Sequence, residues 1–277
     1  MDAAELSRAA LRRAAANEPI DLARAALAIA REEYPDLDES RVLRRLEEIA
    51  LLVVRGLPAG ATQERRVGRL GAVLFHDLGF TGNQSAYGDP RNSFLNEVVE
   101  RRTGIPITLS LVYMEVGRRC GLHVEGVGFP GHFLCKVQME EGELIVDPFH
   151  RGQLLGTSEL QRRYKQAMGA SAALDPRVLR AAQPKEILVR MLQNLRAVYQ
   201  ERRDAPRALS AVDRMLLLDP ENTRALRDRA GLYEHLGGAA AAAADLGRVL
   251  QLEPKAGDAE ALRARVRRLS GSSSLLN

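Results

Sequence analysis

The chain has 277 residues, 45% of them apolar and 27% charged, the make-up of an ordinary globular protein long enough for two moderate domains. Its formal charge of +4 comes almost wholly from arginine, with lysine only at Lys136, Lys165, Lys185 and Lys255. Those arginines interleave with acids, as in Arg44-Arg45-Leu46-Glu47-Glu48. That is the pattern of a solvated helix face with local ion pairs, so nucleic acid is not an expected partner. Two cysteines are too few for a disulfide framework, and no signal peptide or long apolar span is legible, so a cytoplasmic protein without membrane association is expected.

Taken in chain order, apolar residues recur at three and four from Leu6 to about Gly56, broken at Tyr34-Pro35-Asp36, which predicts amphipathic helices. Leu57-Pro58-Ala59-Gly60 is a connector, and a further helix is expected from Gln63 to Leu78. A loop of turn formers runs through Thr81-Gly82-Asn83-Gln84 and Tyr87-Gly88-Asp89-Pro90-Arg91-Asn92, ahead of a helix from Ser93 to about Arg102. Next comes a mostly apolar helix opened by Pro106, whose missing N–H would have no partner in a first turn. It closes on Arg118-Arg119-Cys120-Gly121, cations and then a glycine stop, and is the expected buried central helix.

Val124 to Phe129, Phe133 to Gln138 and Leu144 to Val146 read as short strands, the last two joined at Glu140-Glu141-Gly142. A two-residue turn on Glu140-Glu141 or Glu141-Gly142 pairs residues of opposite parity and so places His132 and Asp147 on one face. Cys120 and Cys135 read as small buried hydrophobes. His132 and Cys135 point to opposite faces of a strand, and no other His/Cys group has ligand spacing, so no metal and no cofactor are expected.

From Pro184 the texture changes to helices with a period of 34 residues, seen in Leu192/Leu226, Tyr199/Tyr233, Ala208/Ala242, Val212/Leu246 and Pro220/Pro254, the period of tetratricopeptide repeats. The expected organisation is an N-terminal helical region over 1–90 packed on the core, an α+β core over 91–157 and linking helices over 158–184. Two repeats with a capping helix would fill 185–269, followed by a disordered tail over 270–277.

Asn92-Ser93-Phe94-Leu95-Asn96, Arg101 to Ser110, Gly126 to Leu134 and Val146-Asp147-Pro148-Phe149-His150 together resemble the bacterial SirB-type transglutaminase-like family with C-terminal tetratricopeptide repeats. The resemblance implies a papain-like core, a central helix on a small antiparallel sheet, in which related enzymes use Cys, His and Asp for acyl transfer. By position His132 matches the family's histidine and Asp147 its aspartate, while the nucleophile falls at Pro106. A base and its orienting acid only activate a nucleophile that exists. The leading expectation is therefore a nucleophile-less pseudoenzyme whose repeats bind a protein or peptide. The alternative is a hydrolase or acyl transferase using Thr108 or Ser110 in the first turn of the same helix. Both hydroxyls can equally satisfy free backbone donors at the helix start. His132 reads either as a general base or as a buried imidazole bonded to Asp147, and Asn92, Asn96, Pro106 and His150 are candidate cleft-lining residues.

Overall fold

The computed structural model describes residues 3–273. Helices α1 (Ala3–Ala16), α2 (Leu22–Ala30), α3 (Glu39–Arg55) and α4 (Gln63–Gly71) come first. Asp21 and Asp38 start α2 and α3 by accepting the backbone N–H of Arg24 at 3.0 Å and of Arg41 at 3.1 Å, which satisfies donors that a helix start leaves free. Beyond α4 the coil widens over Ala72–Asp77. The loop expected to be rich in turns then holds a two-residue strand, β1 (Thr81–Gly82), and a tight turn at Pro90–Ser93, followed by α5 (Leu95–Arg101). β1 pairs in parallel with β2 (Thr103–Gly104).

The core is α6 (Pro106–Arg119) on a four-stranded antiparallel sheet, β3 (Val124–Val127), β4 (Leu134–Gln138), β5 (Glu143–Asp147) and β6 (Gln153–Leu154), in that order. Gln138 faces Glu143, so the β4–β5 hairpin turns on Glu140-Glu141, the first of the two registers expected. Alternation along each strand divides the sheet between two layers. Cys135, Val137 and Val146 join the core around α6, whereas Leu134 and Ile145 pack with Leu160 and Tyr164 of α7 (Thr157–Met168). α6 is buried from Pro106 through Tyr113, as the central element of a layered core should be.

The repeats follow as α8 (Pro184–Glu201), α9 (Ala205–Leu218), α10 (Thr223–His235), α11 (Ala239–Leu252) and α12 (Ala259–Ser273). α9 and α11 begin and end 34 residues apart, so the sequence period is the physical period of one helix pair. α12 continues through Ser273, past the point at which a disordered tail was expected to begin, and 274–277 lie outside the described residues.

One hydrophobic cluster runs from Leu11 through α6 and the sheet to Leu269. The N-terminal helices join it from both sides, because α1 packs on α9 and α2 on α8 as well as on α5. Arg214 of α9 is sealed into that junction. It pairs with Glu32 at 3.1 Å and donates to the Ile29 carbonyl at 2.9 Å and the Ser210 carbonyl at 3.2 Å. Two repeats are too few for an independent solenoid, and here α1 and α2 cover the apolar face that a preceding repeat would cover. Among the described residues, no helix is long and apolar enough to cross a membrane.

Candidate functional site

β5 ends at Asp147, and Pro148–His150 then turns tightly, with the Asp147 carboxylate capping the turn through the N–H groups of Phe149 at 3.1 Å and His150 at 3.3 Å. Asp147 lies two residues from Ile145 and so shares the sheet face covered by α7. Across from it, Gly131 adopts a positive φ of 69° and the His132 N–H closes on the Phe129 carbonyl at 3.0 Å. This turn, rather than the strand itself, aims His132, since β4 begins only at Leu134.

The two predicted partners meet, with His132 Nε2 2.9 Å from Asp147 Oδ1. His150 Nδ1 lies 2.7 Å from Oδ2, and Arg163 of α7 donates its Nη1 to the same oxygen. Asp147 is fully buried. Burial by itself would raise its pKa, but the hydrogen bond and charge of His132, then the bonds from Arg163 and His150, outweigh it and hold the carboxyl well below the usual carboxylate range. An ionised carboxylate only accepts. His132 therefore donates to it from Nε2, which turns Nδ1 away from Asp147, the orientation in which a histidine base is held in acyl transfer.

Among the described residues, no nucleophile faces that imidazole. Thr108 is fully buried, its Oγ1 accepting the Ile105 N–H at 3.2 Å and donating to the Asn92 carbonyl at 2.7 Å. It is a helix cap tied to the preceding loop. Ser110 is buried with an unpartnered Oγ, and its carbonyl accepts the Cys135 thiol at 3.5 Å on the sheet face that α6 covers. Pro106 is buried at the first position of α6. The open cavity of about 410 Å³ beside His132 is lined by Phe129, Pro130, Gly131, His150, Arg162, Arg163, Gln166 and Ala167. Among the described residues, therefore, neither a hydroxyl nor a thiol lines it, and the imidazole of His132 has no hydrogen-bond partner other than Asp147.

The two cysteines are buried, and burial pushes the Cys120 thiol up to about 11 and raises that of Cys135 as well. Neither is an activated thiolate.

The remaining candidates separate. His150 belongs to the cluster and lines the cavity. Asn92 is buried away from solvent, accepting Asn83 Nδ2 at 3.1 Å and donating to the Ala86 carbonyl at 2.8 Å, so it clamps the loop that precedes α5. Asn96 lines a different surface depression, with Arg41, Val42 and Glu100, and takes no part in the His132 cavity. Asn92 lies in the Pro90–Ser93 turn and Asn96 in the first turn of α5, where it lies beside Arg41 and Val42 of α3. Sequence reasoning missed Arg163, which lies four residues after Glu159 and reads as half of a helix-surface pair. It does pair with Glu159, at 2.7 Å, but also spans to Asp147. Phe149 was missed too. Its ring packs edge-on to His132 with centroids 5.8 Å apart and to Tyr87 at 6.2 Å.

Potential ligand atoms of His132, Asp147 and His150 lie within 4.8 Å of one another. The positive charge of this cluster is already supplied by Arg163, bound to the oxygen that a cation would need. The donor set thus fits an internal ion pair better than a divalent ion.

Residues 40–193 match the transglutaminase-like superfamily and residues 195–267 match the tetratricopeptide repeat. The chain is 38% identical over 257 residues to the UPF0162 protein of Xylella fastidiosa, covering 92% of each. It is 34% identical over 238 residues to UPF0162 protein PA3419 of Pseudomonas aeruginosa, covering 86% of each. Protein SirB1 of Salmonella typhimurium is 25% identical over 232 residues, 83% of this chain and 86% of that one. The chain belongs to the transglutaminase-like superfamily, within its SirB-type UPF0162 branch, with a tetratricopeptide-repeat module joined to the core.

Proposed function

We propose that this protein is a binding protein built on a transglutaminase-like core without the nucleophile of acyl transfer, and that its repeats dock a protein or peptide. One observation carries the reading. The imidazole of His132 is oriented as a base by Asp147, yet the start of α6 offers Pro106, a Thr108 hydroxyl spent on capping and a Ser110 hydroxyl turned into the core.

The His132–Asp147–Arg163 cluster then acts structurally, tying the end of β5 to the Gly131 turn and to α7. Buried charges persist only when paired and hydrogen-bonded, and here each buried lone pair of Asp147 has a donor. The two unpaired buried thiols suit a reducing compartment such as the cytoplasm. Arginines spent on neighbouring acids, such as Arg229 between Asp213 and Asp245, support a protein rather than a nucleic-acid partner.

The test is capture of a protein partner by the full chain. Capture should survive His132→Ala and be lost on altering exposed residues of the repeats. Loss with His132→Ala alone, alongside product formation from the captured protein, would favour an enzyme.

A further inference from the structure

Where α8 meets the core lies a groove of about 590 Å³, bordered by Gly128 and Phe133 on one side, by Lys185, Val189 and Arg190 of α8 on the other, and by Pro220 beyond the end of α9. Its floor holds a cation without a counter-charge. Arg190 is half-buried, with its guanidinium 5.4 Å from the centre of the Phe133 ring. Its Nη2 donates to the carbonyls of His132 at 2.6 Å and Phe129 at 3.2 Å. Among the described residues, no carboxylate pairs with it, and burial lowers its pKa, with only Tyr87 acting in the other direction.

The neighbouring cations differ. Arg177 pairs with Asp175 at 2.7 Å and Arg180 with Glu186 at 2.6 Å. Lys185 is exposed on the rim and, among the described residues, carries no ion pair. A desolvated guanidinium lacking an anion is costly, and one that keeps donors open toward a cavity gains most from a carboxylate. Half-buried Val178 and exposed Pro220 add apolar surface beside it, while Phe133 and Val189 are buried beneath, and Asp219 at the far edge accepts from Asn222 at 3.1 Å.

We propose that this groove docks an acidic segment of a protein partner, with an Asp or Glu side chain on Arg190 and Lys185 and an apolar side chain against Val178 and Pro220. The proposal rests on the reading of the repeats as an interaction module and names the chemistry of their partner. Because Arg190 also holds the His132 carbonyl, the docked segment and the His132 turn share one side chain.

The probe is a labelled, terminally blocked peptide alternating Glu with Leu, titrated against the full chain by fluorescence anisotropy. Saturable, salt-sensitive binding is expected, weakened roughly tenfold or more when Gln replaces Glu in the peptide. Arg190→Gln and Lys185→Glu should each lose comparable affinity, and Arg190→Lys should recover part of it. Arg12→Gln and Arg12→Glu, on the exposed face of α1, match the charge changes of Arg190→Gln and Lys185→Glu and should leave binding unchanged. Equal binding of the Glu and Gln peptides, displacement by equimolar inorganic phosphate, or full affinity in Lys185→Glu overturns the proposal. Lys185 is exposed, so that variant carries the test even where Arg190→Gln fails to fold. A natural partner captured equally by wild type and Lys185→Glu removes the groove and leaves the interaction reading standing. A full chain that captures no partner removes both.

Discussion

Arg163 and His150 bond the same carboxylate oxygen, Oδ2 of Asp147, the one from α7 and the other from the turn that Asp147 itself caps. A carboxylate held from two elements, with His132 on its other oxygen, serves as the pin of this end of the core. Asp147→Ala should therefore destabilise the protein by about 3–5 kcal/mol, the cost typical of breaking a buried ion pair, measured by urea unfolding at neutral pH.

The same pin sets an acid limit. The folded pKa of Asp147 lies below its unfolded value of about 3.9. Its contribution is therefore fully present above that pH and is lost as pH falls toward the folded value. Wild type should lose stability as pH drops below about 4, and Asp147→Ala should flatten that part of the profile; parallel profiles for the two proteins would contradict this assignment.

Thr108 is read as a cap rather than a nucleophile. Thr108→Val keeps the shape but removes the acceptor for Ile105 N–H and the donor to the Asn92 carbonyl. A loss of about 1–3 kcal/mol in unfolding free energy is expected, with partner binding retained in the protein that remains folded.

Gly82 owes its identity to Phe149. A Cβ at position 82 would fall 2.5 Å from the Phe149 ring and 2.7 Å from its carbonyl oxygen, so Gly82→Ala must push the turn that carries His150. A destabilisation of about 1–3 kcal/mol follows from such overpacking, visible as a lowered melting temperature; an unchanged one would mean that the turn is free to shift.

Arg214 joins the two parts of the chain. Arg214→Ala would leave the Ile29 carbonyl without its buried donor and Glu32 with the Ser210 hydroxyl but no counter-charge from Arg214, costing about 3–5 kcal/mol. With one continuous apolar cluster beneath it, wild type should unfold in a single calorimetric transition rather than in separate steps for core and repeats.

Much of this architecture was legible in the sequence because it rests on periodic or local signals. The 34-residue spacing became paired helices, Pro106 opened α6, and the Glu140-Glu141 turn fixed a register of opposite parity that let His132 and Asp147 meet. What stayed hidden depends on contacts distant in sequence. Arg163 looks like a partner of Glu159 four residues away, and only the packing of α7 on the sheet brings it to Asp147. Arg190 sits inside an ordinary repeat helix, and its missing counter-charge shows only once α8 is placed against the Phe129–Phe133 turn. The packing of α1 on α9 and of α2 on α8 was hidden for the same reason, since neither helix gives a local sign of it.

The most direct measurement is incorporation of a labelled amine into a glutamine-containing protein, run with wild type and His132→Ala. Among the described residues no nucleophile lies beside His132, which predicts that both proteins give the same background. Turnover by wild type that disappears in a folded His132→Ala variant would contradict the account.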